Sequence, residues 1–411
     1  MHDSYDRQKI LTLSLDCHSV NYSFIPSTAK PVLSFCMIVR NEEQNLSRCL
    51  ASVRSQVDEI IVVDTGSEDN TVEIAQQYGA QVKQFEWCDD FAAARNFAIA
   101  HASGDWILTL DADEELVIES GKSEAWQEQL INSSPESLAY WIPLLDAHQP
   151  MTTLPTIRLF RNLSELRYCG RYHEQITYQN QYIPTNFIQN LNCLEIRHYG
   201  YADDLLIHKN LNRNIPLLER LRQKEPLSLL LLLTLGNAYL RTDQVDKARG
   251  CWSEAFERLS PHLLIGELPN ETVRLPALLF ILGLDLLHEQ QDYETAMLVC
   301  RRGLQWFPDY PPLNHLTGSL MQELGFPLAA AGYFEQCLTM GRQGLYFQRE
   351  PFDLNFLTVW PACDLGHAYR ELKRFPEAIQ AYELALSFQA DYEPAQVGLA
   401  AAHQKLQHIP L

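Results

Sequence analysis

The sequence predicts two units of different class: an α/β N-terminal domain built on a mostly parallel, doubly wound sheet, and an all-α C-terminal domain of stacked helix pairs. Three observations carry this. Between Pro31 and Asp113 short apolar runs alternate with segments whose apolar residues recur every three or four positions, as a strand–helix–strand sheet requires. From about Asn210 onward the chain reads as helix. Within that second half, small and aromatic residues return at fixed offsets, which marks an internal repeat.

In chain order, Val32 to Val39 is a continuous apolar strand, Glu59 to Val63 a second ending at Asp64, Gln81 to Phe85 a weaker third, and Trp106 to Leu110 a fourth ending at Asp111. Helices are expected over Glu43 to Ser55, Asp69 to Tyr78 and Phe91 to Ala102, with Gly79 and Gly104 where C-caps belong. This order places Arg40, Asn41, Asp64, Asp111 and Asp113 at or just past strand C-termini, the edge where open α/β sheets bind ligands. Leu138 to Leu145 and Thr156 to Phe160 read as further strands, and a polar, aromatic-rich segment through Tyr201 completes the same domain.

One repeat unit contains Leu235, Gly236, Tyr239, Ala248, Trp252 and Ala255; another has Leu365, Gly366, Tyr369, Ala378, Tyr382 and Ala385 at identical spacing. Two units lie between them. Gly283, Ala296, Cys300, Gly303 and Pro308 mark one, with one extra residue in its turn, and Gly318, Ala330, Phe334 and Cys337 mark the other. These positions resemble the tetratricopeptide repeat, whose small residues let the two helices of a hairpin approach while an aromatic fills the gap between hairpins. Pro261 to Val273 and Gly341 to Thr358 read as insertions or lengthened helices, and Pro394 to Leu406 as a capping helix. The expected domains are an N-terminal extension (1–30), the α/β domain (31–208), and a helical linker with repeats (209–411).

With 411 residues, 46% of them hydrophobic, the chain can fill real cores in both units. Its 52 acidic residues against 32 basic ones give a net charge of −20, which excludes a nucleic-acid footprint. The same acidity is compatible with a divalent cation that bridges carboxylates to phosphate oxygens. The densest apolar run, Leu227 to Leu235, is interrupted by Ser228 and Thr234 and is too short for a membrane span. Met1 to Lys30 lacks a basic region followed by an apolar one, so a cytoplasmic location is expected. The ten cysteines form no CxxC pair and predict neither zinc nor disulfides.

The sharpest chemical constellation is Asp111-Ala112-Asp113 directly after a strand. Carboxylates separated by one residue at a strand end project toward one cleft, where one can ligate a hard cation and the other can take a ribose hydroxyl or a cation-bound water.

The sequence from Leu33 to Glu115 resembles the family 2 glycosyltransferases of the GT-A fold, whose sheet is Rossmann-like. The matching blocks are Arg40 to Glu43 after the first strand; Val62 to Ser67; Phe91, Ala94, Arg95 and Asn96; and Gly104 to Trp106 with Leu110 to Glu114. Arg158 to Asn162, then His173, Glu174 and Gln175, and the repeat tail are similar to a narrower branch, some of whose members glycosylate peptide cysteines in bacteriocins. The resemblance implies donor contacts from Arg40, Asn41 and Glu42, Asp64 near the base or ribose, Arg95 near the nucleotide, Asp111 on ribose or metal, and Asp113 on metal. It further implies a UDP-linked hexose as donor, Mn2+ or Mg2+ as the metal, and inversion at the anomeric carbon by one general base. The Glu-Asp pair of the best-known members is missing, which makes Glu174 the candidate base and His173 an added metal ligand or phosphate contact. Arg197 to Tyr201, with Lys209 and Arg213 beyond them, form a second polar run suited to closing over a pyrophosphate; its His198 competes with His173 as the metal's histidine.

Each of these residues also has a plainer reading: Asp64 as the cap of its Asp-Thr-Gly-Ser turn, Arg95 in a surface ion pair, His173 and Glu174 in a hydrogen-bonded cluster, and Lys209 and Arg213 on a solvated helix face. A nucleotidyltransferase is the less favoured enzyme, because the loop after the first strand has no glycine. A catalytically inactive scaffold whose repeats bind partners is the remaining alternative. Attached to a transferase, the repeats are expected to recruit a peptide or protein acceptor or to join two copies of the chain.

Overall fold

The computed structural model describes residues 32–119, 125–147, 154–200 and 203–407; the expected extension 1–30 and Tyr201 lie outside the described residues. The N-terminal unit runs β1 (Leu33–Val39), α1 (Leu46–Val53), β2 (Glu59–Asp64), α2 (Thr71–Gln77), β3 (Gln81–Gln84), α3 (Phe91–Ile99), β4 (Trp106–Thr109), β5 (Glu114–Ile118), α4 (Ala125–Ile131), β6 (Ala139–Asp146), β7 (Leu154–Arg161), β8 (Leu166–Cys169), β9 (Gln175–Tyr178), β10 (Gln181–Tyr182), β11 (Ile188–Asn190) and β12 (Leu194–His198). The main sheet has the order β3-β2-β1-β4-β7-β6-β12-β5, with β11 also on β6, and β8 to β10 form a separate antiparallel sheet.

The first four strands are parallel to one another, as the alternation of strand and helix requires. Beyond them the sheet becomes mixed, because β7 runs antiparallel to both β4 and β6. Alternation along β1 sorts the core: Phe35, Met37 and Val39 pack with Leu46, Leu50 and Val53 of α1, while Cys36 joins Ala98 and Ile99 of α3 on the other face. Each fully buried large apolar side chain here contributes about 1.5–3 kcal/mol.

Three expectations need correction. α1 begins at Leu46 rather than Glu43, because the Glu42 and Glu43 amides bond to the Thr71 and Asp69 side chains instead of entering a helix. Gly79 caps α2 at φ +79°, but Gly104 is no cap; a Cβ there would lie 2.5 Å from Ser34 Oγ and 2.7 Å from the Val32 carbonyl, so the residue serves close backbone approach. The polar, aromatic-rich segment beyond Phe160, in which the sequence reading named no strand, contributes five short ones, β8 to β12, the longest only five residues.

A linker of α5 (Asp203–Lys209), one π-helical turn (Asn210–Asn214) and α6 (Ile215–Arg222) leads into the repeats. These are hairpins α7 (Leu229–Leu240) with α8 (Val245–Ile265), α9 (Leu275–Leu284) with α10 (Tyr293–Trp306), α11 (Pro311–Glu323) with α12 (Pro327–Gln343), and α13 (Val359–Glu371) with α14 (Phe375–Phe388); α15 (Glu393–Gln407) caps the stack. The small residues do what the pattern requires: Gly236 faces Trp252, Gly318 faces Phe334 and Gly366 faces Tyr382, each too close for a Cβ. The extra residue of the second unit is absorbed by a π-helical turn at Asp285–Glu289, the usual structural result of inserting one residue into a helix. The first lengthened segment is helix as far as Ile265, ending at left-handed Gly266; the second is largely loop beyond Gly344.

The units touch through the β8–β9 loop and α6. Tyr172 packs on the repeat core and edge-on to Phe91, and Arg220 pairs with Asp89 at 2.8 Å.

Candidate functional site

The turn between β4 and β5 carries Asp111 and Asp113 to the C-terminal edge of the parallel strands. Asp111 Oδ1 accepts from Arg95 Nη2 at 2.6 Å, and its Oδ2 lies 3.2 Å from Arg158 Nη2. Burial would raise this carboxyl, but the two guanidiniums override that effect and hold it well below the usual carboxylate range. Arg95, projecting from α3, also donates through Nε to Glu174 Oε1 at 2.5 Å, and its guanidinium lies over the Tyr168 ring. Arg158 on β7 pairs in turn with buried Glu114 at 2.6 Å. Burial, then the neighbouring Asp111 and Asp113, raise Glu114 against the pull of Arg158.

Asp113 faces a different set. Lys209 at the end of α5 reaches its Oδ2 at 2.7 Å, and His198 Nε2 stands 3.6 Å from its Oδ1. Register explains the histidine: β12 pairs with β5 so that His198 lies opposite Glu114, and the Tyr199 amide bonds to the Asp113 carbonyl at 2.9 Å. Gly200 is required here, since any side chain on it would overlap the Asp113 carboxylate. Burial lowers the His198 pKa more than Asp113 raises it, which favours the neutral imidazole a metal needs.

The donor set therefore fits a divalent cation between Asp113 and His198. A separation of 3.6 Å is long for a direct hydrogen bond and close to the spacing of two ligands around one ion. Binding through Nε2 would require the Gly200 amide, which now donates to Nδ1 at 3.2 Å, to let go. Asp111 is less suited to metal than expected, because arginines occupy both its oxygens. His173 is a correction: at φ +55° its ring turns to Tyr172, the charged group it senses is Arg274, and it bonds to no carboxylate of the cluster.

The remaining predicted residues divide. Glu42 is half-buried, its carboxylate bonded to Asn45 Nδ2 at 2.9 Å; burial raises its pKa, and Asp113, Lys209 and Arg213 all act on it. Arg213 is exposed, with Nε on Asn214 Oδ1 and its guanidinium 5.8 Å from the Phe91 ring centre. Arg40 is exposed at the same edge. Asn41 ties the first loop to the second, accepting from the Glu68 amide at 2.8 Å while its own amide donates to Ser67 Oγ. Asp64 is buried as the turn's cap, accepting from the Gly66 and Ser67 amides. Sequence reasoning passed over Glu114 and Arg158 as site residues. Their signal was charge beside apolar strand residues, Arg158 between Ile157 and Leu159 and Glu114 at the start of β5.

The glycosyl transferase family 2 profile matches residues 34–120, which run from β1 through β5, and a tetratricopeptide repeat profile matches 362–392, the α13–α14 hairpin. A TPR repeat-containing protein of Synechococcus elongatus is 46% identical over 182 residues, covering 42% of this chain and 43% of that protein. The glycosyltransferase SunS of Bacillus subtilis is 32% identical over 200 residues, 48% of this chain and 46% of that one. The chain thus spans less than half the length of these curated relatives. Among solved structures, glucosyl-3-phosphoglycerate synthase of Mycobacterium tuberculosis with Mn2+ and UDP aligns at 19% identity and a TM-score of 0.33, covering 43% of this chain and 75% of that one. This protein joins a family 2 glycosyltransferase domain to a stack of tetratricopeptide repeats.

Proposed function

We propose that the protein transfers a sugar, with inversion, from a nucleotide-linked donor of the UDP-hexose type to a peptide or protein acceptor recruited by the repeats. The observation that carries this reading is the convergence of Asp113, His198, Lys209, Asp111 and Arg95 at the carboxyl edge of the parallel strands, within a domain of family 2 type. That set supplies both signs of charge where a diphosphate and its cation would sit.

Asp113 and His198 would hold a divalent metal, which when bound neutralises charge on a departing diphosphate. Lys209, released from Asp113, is positioned to meet phosphate oxygens, with Arg213 beside it on the same linker. Arg95 orients Glu174, whose Oε2 has no hydrogen-bond partner among the described residues and is the candidate acceptor of the nucleophile's proton. In the reaction the acceptor heteroatom bonds to the anomeric carbon, the bond from that carbon to the diphosphate breaks, and the acceptor proton passes to Glu174. Exposed Arg40 and half-buried Glu42 flank the place of the donor, while Asn41 and Asp64 shape the loops around it.

A second reading, a scaffold without turnover, draws on the internal cations that already neutralise Asp111 and Asp113. One experiment separates them: thermal unfolding with UDP, GDP, dTDP or CDP, each with and without Mn2+. Stabilisation by one diphosphate only with metal, lost in Asp113→Ala, supports the transferase. No shift with any nucleotide, together with no calorimetric binding, supports the scaffold.

A further inference from the structure

We propose that Cys363, Asp364 and His367 of α13, braced by His315 of α11, form a binding site for one zinc-class transition-metal ion in the repeat domain. It is separate from the carboxylate cluster and independent of the proposed transfer. Cys363 and His367 stand one helical turn apart, so their side chains share a face, and Asp364 adjoins it. One ligand atom from each of the three lies within 4.8 Å of the other two. The Asp364 Oδ1 to His367 Nδ1 distance is 3.5 Å. Tetrahedral bonds of about 2.0–2.3 Å place ligand atoms roughly 3.3–3.8 Å apart, so an ion would draw the trio together by at most about 1.5 Å.

The surroundings are those of a metal site. Asp364 Oδ2 accepts from His315 Nε2 at 2.9 Å, the kind of outer hydrogen bond that fixes a ligating carboxylate. The His315 ring is held by Phe334, Phe356 and Trp360, an apolar wall that limits solvent access. His367 rests edge-on to Tyr382 at 5.4 Å, leaving it little rotational freedom. Cys363 is 1% exposed while Asp364 and His367 keep about a third of their side chains in solvent, so an ion could enter past them and meet the thiol at the back.

On binding, the S–H bond breaks, sulfur bonds to the metal and the proton leaves to solvent, which balances the doubly charged ion against one thiolate and one carboxylate. A thiolate with imidazole selects zinc or cobalt over manganese or magnesium, so this site and the cluster at Asp113 prefer different ions. Three protein ligands leave a fourth position for water. Through Asp364 and His315 the ion would also tie the first helices of the third and fourth hairpins together.

The test uses the full chain, washed with chelator and titrated with Co2+ as the spectroscopic probe and then with Zn2+. The expected result is one tightly bound ion per chain with sulfur-to-cobalt charge-transfer absorption, displaced by Zn2+ and present unchanged in Asp113→Asn. Cys363→Ser should lose the absorption, His367→Gln should lose binding, and His315→Gln should weaken it by about 10–100-fold. Zn2+ should also raise the unfolding temperature of the wild type but not of His367→Gln. Binding without thiolate absorption, or binding of wild-type strength in His367→Gln, would overturn the assignment. Should Cys363→Ser prove unfolded by circular dichroism, the partly exposed His367 and His315 variants decide the matter.

Discussion

Lys209 Nζ lies 2.7 Å from Asp113 Oδ2, so a linker residue from beyond the sheet places an ammonium on the carboxylate that faces His198. A metal at Asp113 and His198 must share that carboxylate with Lys209 or move it aside. Lys209→Met is therefore expected to bind Mn2+ more tightly than the wild type in calorimetry without nucleotide, and to bind the nucleotide–metal pair more weakly. Equal Mn2+ affinity in both proteins would show that Lys209 does not compete.

Glu174→Gln keeps a carbonyl oxygen for the Arg95 Nε donor while removing the basic carboxylate. Nucleotide binding by thermal shift should persist and turnover should fall by about 100-fold or more, the scale of general-base catalysis. Retained turnover in the purified variant would remove Glu174 from the role.

Arg95→Met leaves Asp111 and Glu174 without their shared guanidinium in a largely buried setting. A loss of about 3 kcal/mol is expected in urea unfolding, because removing the guanidinium strands the buried Glu174 carboxylate, while Asp111 keeps Arg158. Glu174→Gln should cost much less, and that contrast separates the structural part of Arg95 from its place beside the donor.

Gly236→Ala would bring a Cβ to 2.5 Å from Trp252 Nε1, whereas Gly250→Ala on the neighbouring helix meets nothing within 4 Å. The first should destabilise by about 1–3 kcal/mol through overpacking, and the second should stabilise by about 1 kcal/mol or less through helix propensity. Equal effects in thermal unfolding would mean that the hairpin contact is looser than described.

Glu350 is buried and pushed up to about 7, burial outweighing the Arg274 guanidinium 3.0 Å away. An ordinary glutamate ionises near 4.5, so between these values the folded protein holds a proton that the unfolded chain has lost. Stability should fall as pH rises through that window, and a flatter urea-unfolding profile from about pH 5 to 8 is expected in Glu350→Gln.

The sequence made the strands β1 to β4 and the hairpins legible because each rests on local periodicity or repeated small residues. It put Asp113 and His198 forward for one metal but left His198 in competition with His173; the register of β12 on β5 is what brings His198 to Asp113, and α5 is what brings Lys209. His173 falls away through the course of the β8–β9 loop, which sets its ring against Tyr172, and nothing local in the sequence shows that course. Arg158 and Glu114 were passed over for a similar reason: a charged residue on a strand reads as solvent-facing until the neighbouring strand is known to bring its partner. The composition argued against zinc by its lack of CxxC pairs, yet the grouping on α13 needs no such pair. One helical turn and an adjoining helix supply the spacing.

The place of β12 in the sheet bears on how the molecule is made. Among the described residues β5 has no other strand partner, and β12 enters between β6 and β5, both synthesised before it. Until Leu194 to His198 emerge, the nascent sheet keeps an open gap with unpaired edges, the condition that invites pairing with other chains. The strand that closes the gap carries the histidine of the cluster. Completion of the sheet and arrival of that ligand are thus one event, and a chain stalled before Leu194 should be both chemically incomplete and prone to aggregate.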